Sequence, residues 1–554
     1  MKLVECVPNF SEGKDLKILD QIAAAIKSVK GAILLDMDPG ADTNRTVFTL
    51  VGEPEPVIEA AFQAIKKASE LIDMSKHHGA HPRMGATDVC PFVPVSGLTM
   101  EDCVEFAHRL AKRVGEELKI PVYLYEYAAS KPKWKNLAEV RKGEYEGLEK
   151  RVGDSNWKPD YGPHEFNKRS GATAVSAREF LIAYNINLNT RDKKKAHDLA
   201  LTIRESGRLK RDKNNKIVKD KDGNKLREAG LFTHCKAVGW YIDEYNRAQI
   251  SINLTNYKVT PPHLVLEKVR ELAIEKGIQV TGSELVGLIP KDAILMAGKY
   301  YLDRLEESCG IPEKMIIETA VQSMGLDDLT EFDTNEKVIE YAIAPKDNLV
   351  NMTLSEFADD LSSDSPAPGG GSVAALCSAI SGSLTAMVSN LTFNKKGYEK
   401  VWKETKALAE KGQDIKERSL YAIDKDTQAF YAMMDAVKLP KKTEKEQKIR
   451  DQAIQDSTRN AILVPLETLE IAFEAVQLAE NIASIGNKNA LSDAGVAAIT
   501  ANAAAKSAYL NIQINMPGIE DEHFKFDILT KAAELVDKVN NIALKVEKLI
   551  KSEV

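Results

Sequence analysis

Three histidines, His77, His78 and His81, crowd one short segment of a chain that has nine in all. They stand in HHGAHPRMGATDVCPF, residues 77–92, where Pro82 and two glycines interrupt regular structure and leave a loop running into a strand. An imidazole can take up and return a proton near neutral pH. Arg83, two residues after His81, can hold a carboxylate through two parallel hydrogen bonds. The competing readings are a metal site and a plain surface cluster. No established helix gives these histidines i,i+4 ligand geometry, and no cysteine or carboxylate stands at metal-ligand spacing, so no metal is expected.

Other residues can carry chemistry too. Asp424 and Asp426 lie in IDKDT inside a helical pattern. Residues two apart on a helix do not share a face, so at most one points into a site. A carboxylic acid that protonates a leaving group needs a raised pKa, which burial supplies; the plain alternative is a solvated helix face. PAPGGGS, residues 366–372, runs straight into an apolar helix. Free backbone N–H groups at such a start bind anions, so Gly369, Gly370, Gly371 and Ser372 are read as a ligand-facing loop rather than a flexible linker. The GxxxxGK pattern of a nucleotide loop is absent there, so ATP is not implied. Asp38, in DMDPG at the end of a strand pattern, is equally a turn-forming aspartate. Asp493 is a polar candidate that serves equally as a helix cap.

These groups need scaffolding. The chain has 554 residues, too many for one core, and at roughly 100–200 residues per domain it divides into three or four units. The net charge of -7 leaves no footprint for nucleic acid, though it permits a local basic groove for a small polyanion. Six scattered cysteines without a CxxC pair read as reduced thiols of a cytoplasmic protein. The first residues do not read as a secretory signal, and no run of 18 or more apolar residues marks a membrane span.

Through residue 340, strands and helices alternate, which predicts an α/β (α+β) half with two subdomains, 1–180 and 181–340. LVECVPNF, AILLDMD and PVYLYEYA read as strands; LKILDQIAAAIKSV, PEPVIEAAFQAIKKASELI and MEDCVEFAHRLAKRVGEEL carry helical spacing. FLIAYNINL, KAVGWYIDE and AQISINLTNY are strands of the second subdomain. Its charged insertion, about residues 211–230, carries NN and DG turn signals and reads as a surface hairpin or mobile segment rather than a site. Residues 341–351 read as a linker. From 352 to 554 the chain is alanine-rich with helical period throughout, an all-α helical bundle, with Pro465 a candidate kink.

VECVPNFSEG, DPGADTNRTVFTLVG, HPRMGATDVCPFVPV and VGWYIDE, in this order, resemble the formiminotransferase family. APGGGSVAA and YAIDKDTQAFYAMMDAVKLP resemble the formiminotetrahydrofolate cyclodeaminase family, and the two in sequence resemble the family in which both are fused. The resemblance implies transfer of a formimino group from N-formimino-L-glutamate to tetrahydrofolate, then closure to 5,10-methenyl-tetrahydrofolate with loss of ammonia. It implies polyglutamylated tetrahydrofolate as co-substrate, no metal or redox cofactor, and a ring-like homo-oligomer, an octamer. By the same resemblance His81 is the transferase base, Asp38 and Arg83 support it, and Asp426 is the cyclodeaminase acid. The stretch Gly162, Pro163, His164, Glu165, Phe166, Asn167, Lys168, Arg169, Ser170 and Gly171 matches the family's folate-binding segment. Two rivals stay open: a single active half, with a cyclohydrolase-like reaction or a formyl donor, and a folate-binding scaffold without catalysis.

Overall fold

The computed structural model describes residues 2–40, 44–79, 82–243, 245–344 and 348–553. His81 lies outside the described residues.

The first subdomain opens with β1 (Leu3–Cys6), β2 (Asn9–Phe10), α1 (Leu16–Lys27), β3 (Ala32–Gly40), β4 (Arg45–Gly52) and α2 (Pro54–Leu71). It continues with β5 (Thr87–Ser96), α3 (Met100–Glu117), β6 (Val122–Glu126), α4 (Leu137–Val140), α5 (Glu144–Val152) and β7 (Thr173–Ala177). β3 and β4 pair antiparallel, β1 and β2 both lie between β4 and β5, and β5, β7 and β6 run parallel. α1 buries Leu19, Ile22, Ala23 and Ile26, one helical stripe, after Asp15 caps its start through Lys17 N. With α2 and α3 it covers one sheet face around Phe10, Phe48 and Phe92. On the other face Tyr123 and Trp134 anchor a smaller core with α4 and α5.

The second subdomain holds β8 (Ile182–Leu188), α6 (Lys193–Ile203), β9 (Arg208–Leu209), β10 (Arg227–Glu228), β11 (Cys235–Ile242), β12 (Arg247–Leu254), α7 (Pro262–Ile274) and β13 (Val280–Val286). Its sheet is antiparallel in the order β11, β12, β8, β13. The period of two sends Ile182, Tyr184, Ile186 and Leu188 into the core, and Asn185 and Asn187 to the opposite face. Between β9 and β10 the charged insertion folds back twice, with Val218 N donating to Lys210 O and Leu226 N to Val218 O, both at 2.9 Å. α8 (Lys291–Arg304), α9 (Glu313–Met324), α10 (Thr334–Lys337) and α11 (Ile339–Ala342) follow.

The remaining helices are α12 (Leu354–Leu361), α13 (Gly370–Asn390), α14 (Trp402–Lys438), α15 (Glu444–Ile485), α16 (Leu491–Asn515) and α17 (Glu522–Glu553). α16 buries Ala494, Ala497, Ala501, Ala504 and Ala508, and side chains this small bring helix axes close. Ser381 of α13 donates to the backbone oxygen of Ala497 at 2.8 Å. α15 continues through Pro465. Proline offers no N–H to the carbonyl four residues back, and that carbonyl, Ala461 O, accepts instead from Asn515 Nδ2 at 3.0 Å. Among the described residues one helix, α13, is long and apolar enough to cross a membrane, with a mean hydropathy of 1.5. Its most apolar stretch is 61% buried inside the helical unit, the mark of a core helix.

The fold class expected from the sequence, an α/β half followed by an all-α half, is what the chain adopts. The chain forms two compact units, Met1–Ala297 with Met324–Ala344, and Gly298–Ser323 with Pro345–Val554. Residues 298–323, expected in the second α/β subdomain, pack in the helical unit. Asn390 Nδ2 donates to Gly310 O at 2.7 Å, Lys406 pairs with Asp303 at 2.6 Å, and Gly310 has no room for a Cβ against Ala409.

Candidate active sites

In the α/β unit the segment around the histidines is tied down at both described ends. His77 Nε2 lies 2.9 Å from Asn44 O, and Arg83 Nε donates to His77 Nδ1 at 3.2 Å. Since Nδ1 accepts, the proton sits on Nε2 and His77 is a neutral imidazole with both nitrogens committed. Burial lowers its pKa, the bond to Asn44 O opposes this, and the Arg83 charge lowers it further. Arg83 is itself buried. Its Nη2 and Nη1 donate to Glu146 Oε1 at 2.7 Å and Oε2 at 2.9 Å, a two-pronged ion pair, with Glu144 at 3.3 Å. Its fork is therefore filled by protein carboxylates, and it acts as a brace for the loop.

Asp88 is a second anchor. It is almost fully buried, accepts from Met84 N at 3.0 Å, and pairs with Arg45 and Arg141. Arg45 Nε donates to Asn9 Oδ1 at 2.9 Å, and Asn44 links Gly13 N to His78 O. The segments 7–13, 44–46 and 82–88, remote in sequence, thus meet as one largely buried polar network. Asp38 lies exposed on β3, opposite Val47.

The stretch Gly162–Gly171 lies beside this network. Gly85 and Gly171 form a bridge, Ala86 N donates to Ser170 O at 2.9 Å, and Met74 N to Arg169 O at 2.9 Å. Gly171 has φ +68, and a Cβ there would stand 2.1 Å from Met84 O, so only glycine serves. Phe166 is half-buried against Tyr145, with ring centroids 5.6 Å apart. Asn167 closes the turn through Ser170 N, and Gly162, at φ +83, lets the chain pass against Gly115. Arg169 donates to Ser69 O and Glu70 O, capping the end of α2. His164, Glu165 and Lys168 are exposed, and Pro163 is half-buried. Of the two cations in this stretch, Lys168 thus stays outward while Arg169 has a structural partner.

Sequence reasoning passed over the polar face of the second sheet. Gln249 Nε2 donates to Asn187 Oδ1 at 2.7 Å, Asn185 Nδ2 to Glu284 Oε2 at 3.1 Å, and Trp240 Nε1 to Gln249 Oε1 at 3.1 Å. These residues line the face opposite the α6–α7 core. The signal was present in YNINL, where Asn185 and Asn187, at period two, fall on one side of a strand.

In the helical unit a cavity of about 310 Å³ is lined by Gly369, Gly370 and Gly371, by Asp426, Phe430 and Met433 of α14, and by Ala461, Asn511 and Asn515. Gly371 and Ser372 open α13, and Ser372 Oγ donates to Asp426 Oδ2 at 3.2 Å with Thr427 Oγ1 at 3.3 Å. Burial raises the Asp426 pKa, opposed by hydrogen bonds from the Ser372 side chain and backbone. With its pKa raised, a carboxyl facing a hollow with an apolar wall and two side-chain amides, Asn511 and Asn515, is suited to deliver a proton to a leaving nitrogen. Asp424 faces elsewhere and accepts from Leu349 N at 2.8 Å. Asp493 falls in the first turn of α16. Asn511 and Asn515 went unremarked in the sequence because only α16 packing brings them to this wall. Among the described residues no group of three His, Cys, Asp or Glu side chains could hold a metal ion.

Comparison with known proteins covers both units. The formiminotransferase N-terminal subdomain matches residues 3–178, the formiminotransferase domain 183–344, and formiminotransferase-cyclodeaminase 353–534. Formimidoyltransferase-cyclodeaminase of Mus musculus is 41% identical over 527 residues, 95% of this chain and 94% of the mouse protein. Glutamate formimidoyltransferase of Streptococcus pyogenes is 43% identical over 301 residues, 54% of this chain and 93% of its own. Methenyltetrahydrofolate cyclohydrolase of Methylorubrum extorquens is 37% identical over 204 residues, 37% of this chain and 98% of its own.

Proposed function

The chain belongs to the formimidoyltransferase-cyclodeaminase family, and from that premise we propose how its two sites divide the work. It is a bifunctional enzyme. It moves the formimino group of N-formimino-L-glutamate to tetrahydrofolate, giving 5-formimino-tetrahydrofolate and glutamate, and closes the product to 5,10-methenyl-tetrahydrofolate with release of ammonia.

In the transfer step, N5 of tetrahydrofolate attacks the formimino carbon and sheds a proton, and the departing glutamate nitrogen gains one. We assign both transfers to His81. His77, held neutral between Asn44 and Arg83, is a positioning residue. The stretch 162–171 receives the folate, with Phe166 as its aromatic member. In the closure step N10 attacks the same carbon, and the protonated carboxyl of Asp426 gives its proton to the leaving ammonia. The observation that carries this reading is the burial of Asp426 against Gly371 at the cavity wall, because it supplies an acid that stays protonated at higher pH than a solvated aspartate. Glutamate, ammonia and methenyl absorbance, followed together after mixing formiminoglutamate with tetrahydrofolate, test it. Failure to release ammonia from preformed 5-formimino-tetrahydrofolate would remove the second assignment.

Neither step changes an oxidation state, so we expect full turnover after exhaustive chelation. Polyglutamylated tetrahydrofolate is the form we propose as co-substrate, tested by comparing KM with tail length. α16 exposes Val496, Ile499, Leu510 and Ile514 along one stripe, a face suited to a second copy in a ring-like homo-oligomer such as an octamer; light scattering decides. Six free cysteines, Cys6 and Cys90 within 3.4 Å of each other, suit a reducing cytoplasm, which cell fractionation tests.

A further inference from the structure

Three polar side chains line the cavity of the helical unit: Asp426 of α14, and Asn511 and Asn515 of α16. The two amides stand one helical turn apart and so share a face of α16. Successive glycines of α13 make room for amide and carboxyl. A Cβ on Gly370 would lie 3.4 Å from Asn511 Nδ2, and one on Gly371 would meet Asp426.

Hydrogen bonds fix which way each amide faces. Asn515 Nδ2 donates to Ala461 O and to Asn511 O, both at 3.0 Å, and spends its two N–H groups there. Both partners are carbonyl oxygens, which take only a donor, so nitrogen and oxygen of this amide cannot trade places. Ala461 O is open to the bond because Pro465, four residues on, offers it no N–H. Asn511 Nδ2 donates to Ser507 O at 2.8 Å, which sets the second amide in the same way. Among the described residues neither Oδ1 receives a hydrogen bond. The pair thus presents the cavity with two oxygen acceptors and a carboxyl between apolar side chains such as Phe430 and Met433.

We propose that Asn511 and Asn515 determine specificity here, accepting hydrogen bonds from the outer nitrogen of a formimino group and refusing a formyl group. The proposal rests on the assignment of formimino closure to this cavity. The outer nitrogen carries N–H throughout that reaction. N10 bonds to the formimino carbon, the bond from that carbon to the outer nitrogen breaks, and the nitrogen leaves as ammonia with the bonding pair. It takes a proton from Asp426, and the proton shed by N10 restores the acid. A formyl group puts a carbonyl oxygen in the same place. It would face two amide oxygens with no hydrogen between them, and a site whose polar groups are left unpaired discriminates strongly. The selection belongs to the amides, since Asp426 in its acid form donates to nitrogen and oxygen alike.

Ammonia release from preformed 5-formimino-tetrahydrofolate, with 5-formyl-tetrahydrofolate as inhibitor, tests the selection in the full chain. The readout is the ratio of the inhibitor's Ki to the substrate's KM. Wild type is expected to show a ratio above about 30. Asn511→Leu removes the acceptor, and the ratio should fall about tenfold, chiefly through a rise in KM. Asn511→Asp loses the bond to Ser507 O but keeps an oxygen toward the cavity, so its ratio should stay within about threefold of wild type. A merely structural role for Asn511 predicts equal loss in both variants. Equal loss, a wild-type ratio in Asn511→Leu, or a wild type that turns over with a ratio near one overturns the selection alone. A wild type that releases no ammonia overturns the assignment of the cavity, and the selection with it.

Discussion

Gly371 and Asp426 contend for one space: a Cβ built on Gly371 would lie 2.0 Å from Asp426 Oδ1 and 2.4 Å from Cγ. The start of α13 is glycine so that a carboxylate on α14 can reach the cavity. Gly371→Ala must therefore move the carboxylate, and a displacement of about 1 Å can cost about 100-fold in rate. The expected outcome is loss of ammonia release on that scale with glutamate release unchanged. An alanine variant that releases ammonia at the wild-type rate contradicts the placement.

The two aspartates of IDKDT should separate cleanly. Asp424→Ala removes the acceptor for Leu349 N, with an expected stability loss of about 1 kcal/mol and ammonia release within about threefold of wild type. Asp426→Asn should cut ammonia release by about 100-fold or more. Burial raises the Asp426 pKa, so the acid form persists to higher pH than in a solvated aspartate, and ammonia release should fall as pH rises through that raised value. A pH–rate profile of 5-formimino-tetrahydrofolate closure checks this limb; it should persist in Asp424→Ala.

The Arg83 fork, closed on Glu146, makes it a brace rather than a grip on substrate. Arg83→Lys keeps the charge and loses the fork. The transferase kcat is expected to fall about tenfold while KM for formiminoglutamate changes less than about twofold. A rise in KM with kcat unchanged would return Arg83 to substrate binding.

Glu5, in the core of the first sheet, has its pKa pushed up to about 7 by burial, with Arg178 opposing. Its folded-state pKa thus stands above the unfolded value, so its contribution to stability is fully present at low pH and is lost as pH rises through about 7. Glu5→Gln should melt like wild type near pH 5 and be more stable near pH 8, by up to about 3 kcal/mol. Thermal melts at both pH values check it; parallel curves for the two proteins count against a neutral Glu5.

What the sequence made legible followed from local rules. The period of two marked β8 and β12, the alanine-rich period marked α13 to α17, and the angle between neighbours two apart on a helix separated Asp424 from Asp426. Pairings across long stretches of chain were hidden. Asp88 meets Arg45 and Arg141, and Arg83 meets Glu146, only because strands and loops remote in sequence converge. Arg169, with the composition of a ligand cation, spends its donors on the end of α2. Residues 298–323 carry helical period, yet period does not say which core a helix joins; they group with the helical unit, where Gly310 lies close against Ala409.

The division of labour between two sites is tested most directly by one coupled assay on wild type, His81→Ala and Asp426→Ala, following glutamate, ammonia and methenyl-tetrahydrofolate. His81→Ala should stop glutamate release from formiminoglutamate yet still release ammonia from supplied 5-formimino-tetrahydrofolate. Asp426→Ala should release glutamate and little ammonia. Wild-type ammonia release in Asp426→Ala, or wild-type glutamate release in His81→Ala, would contradict the account.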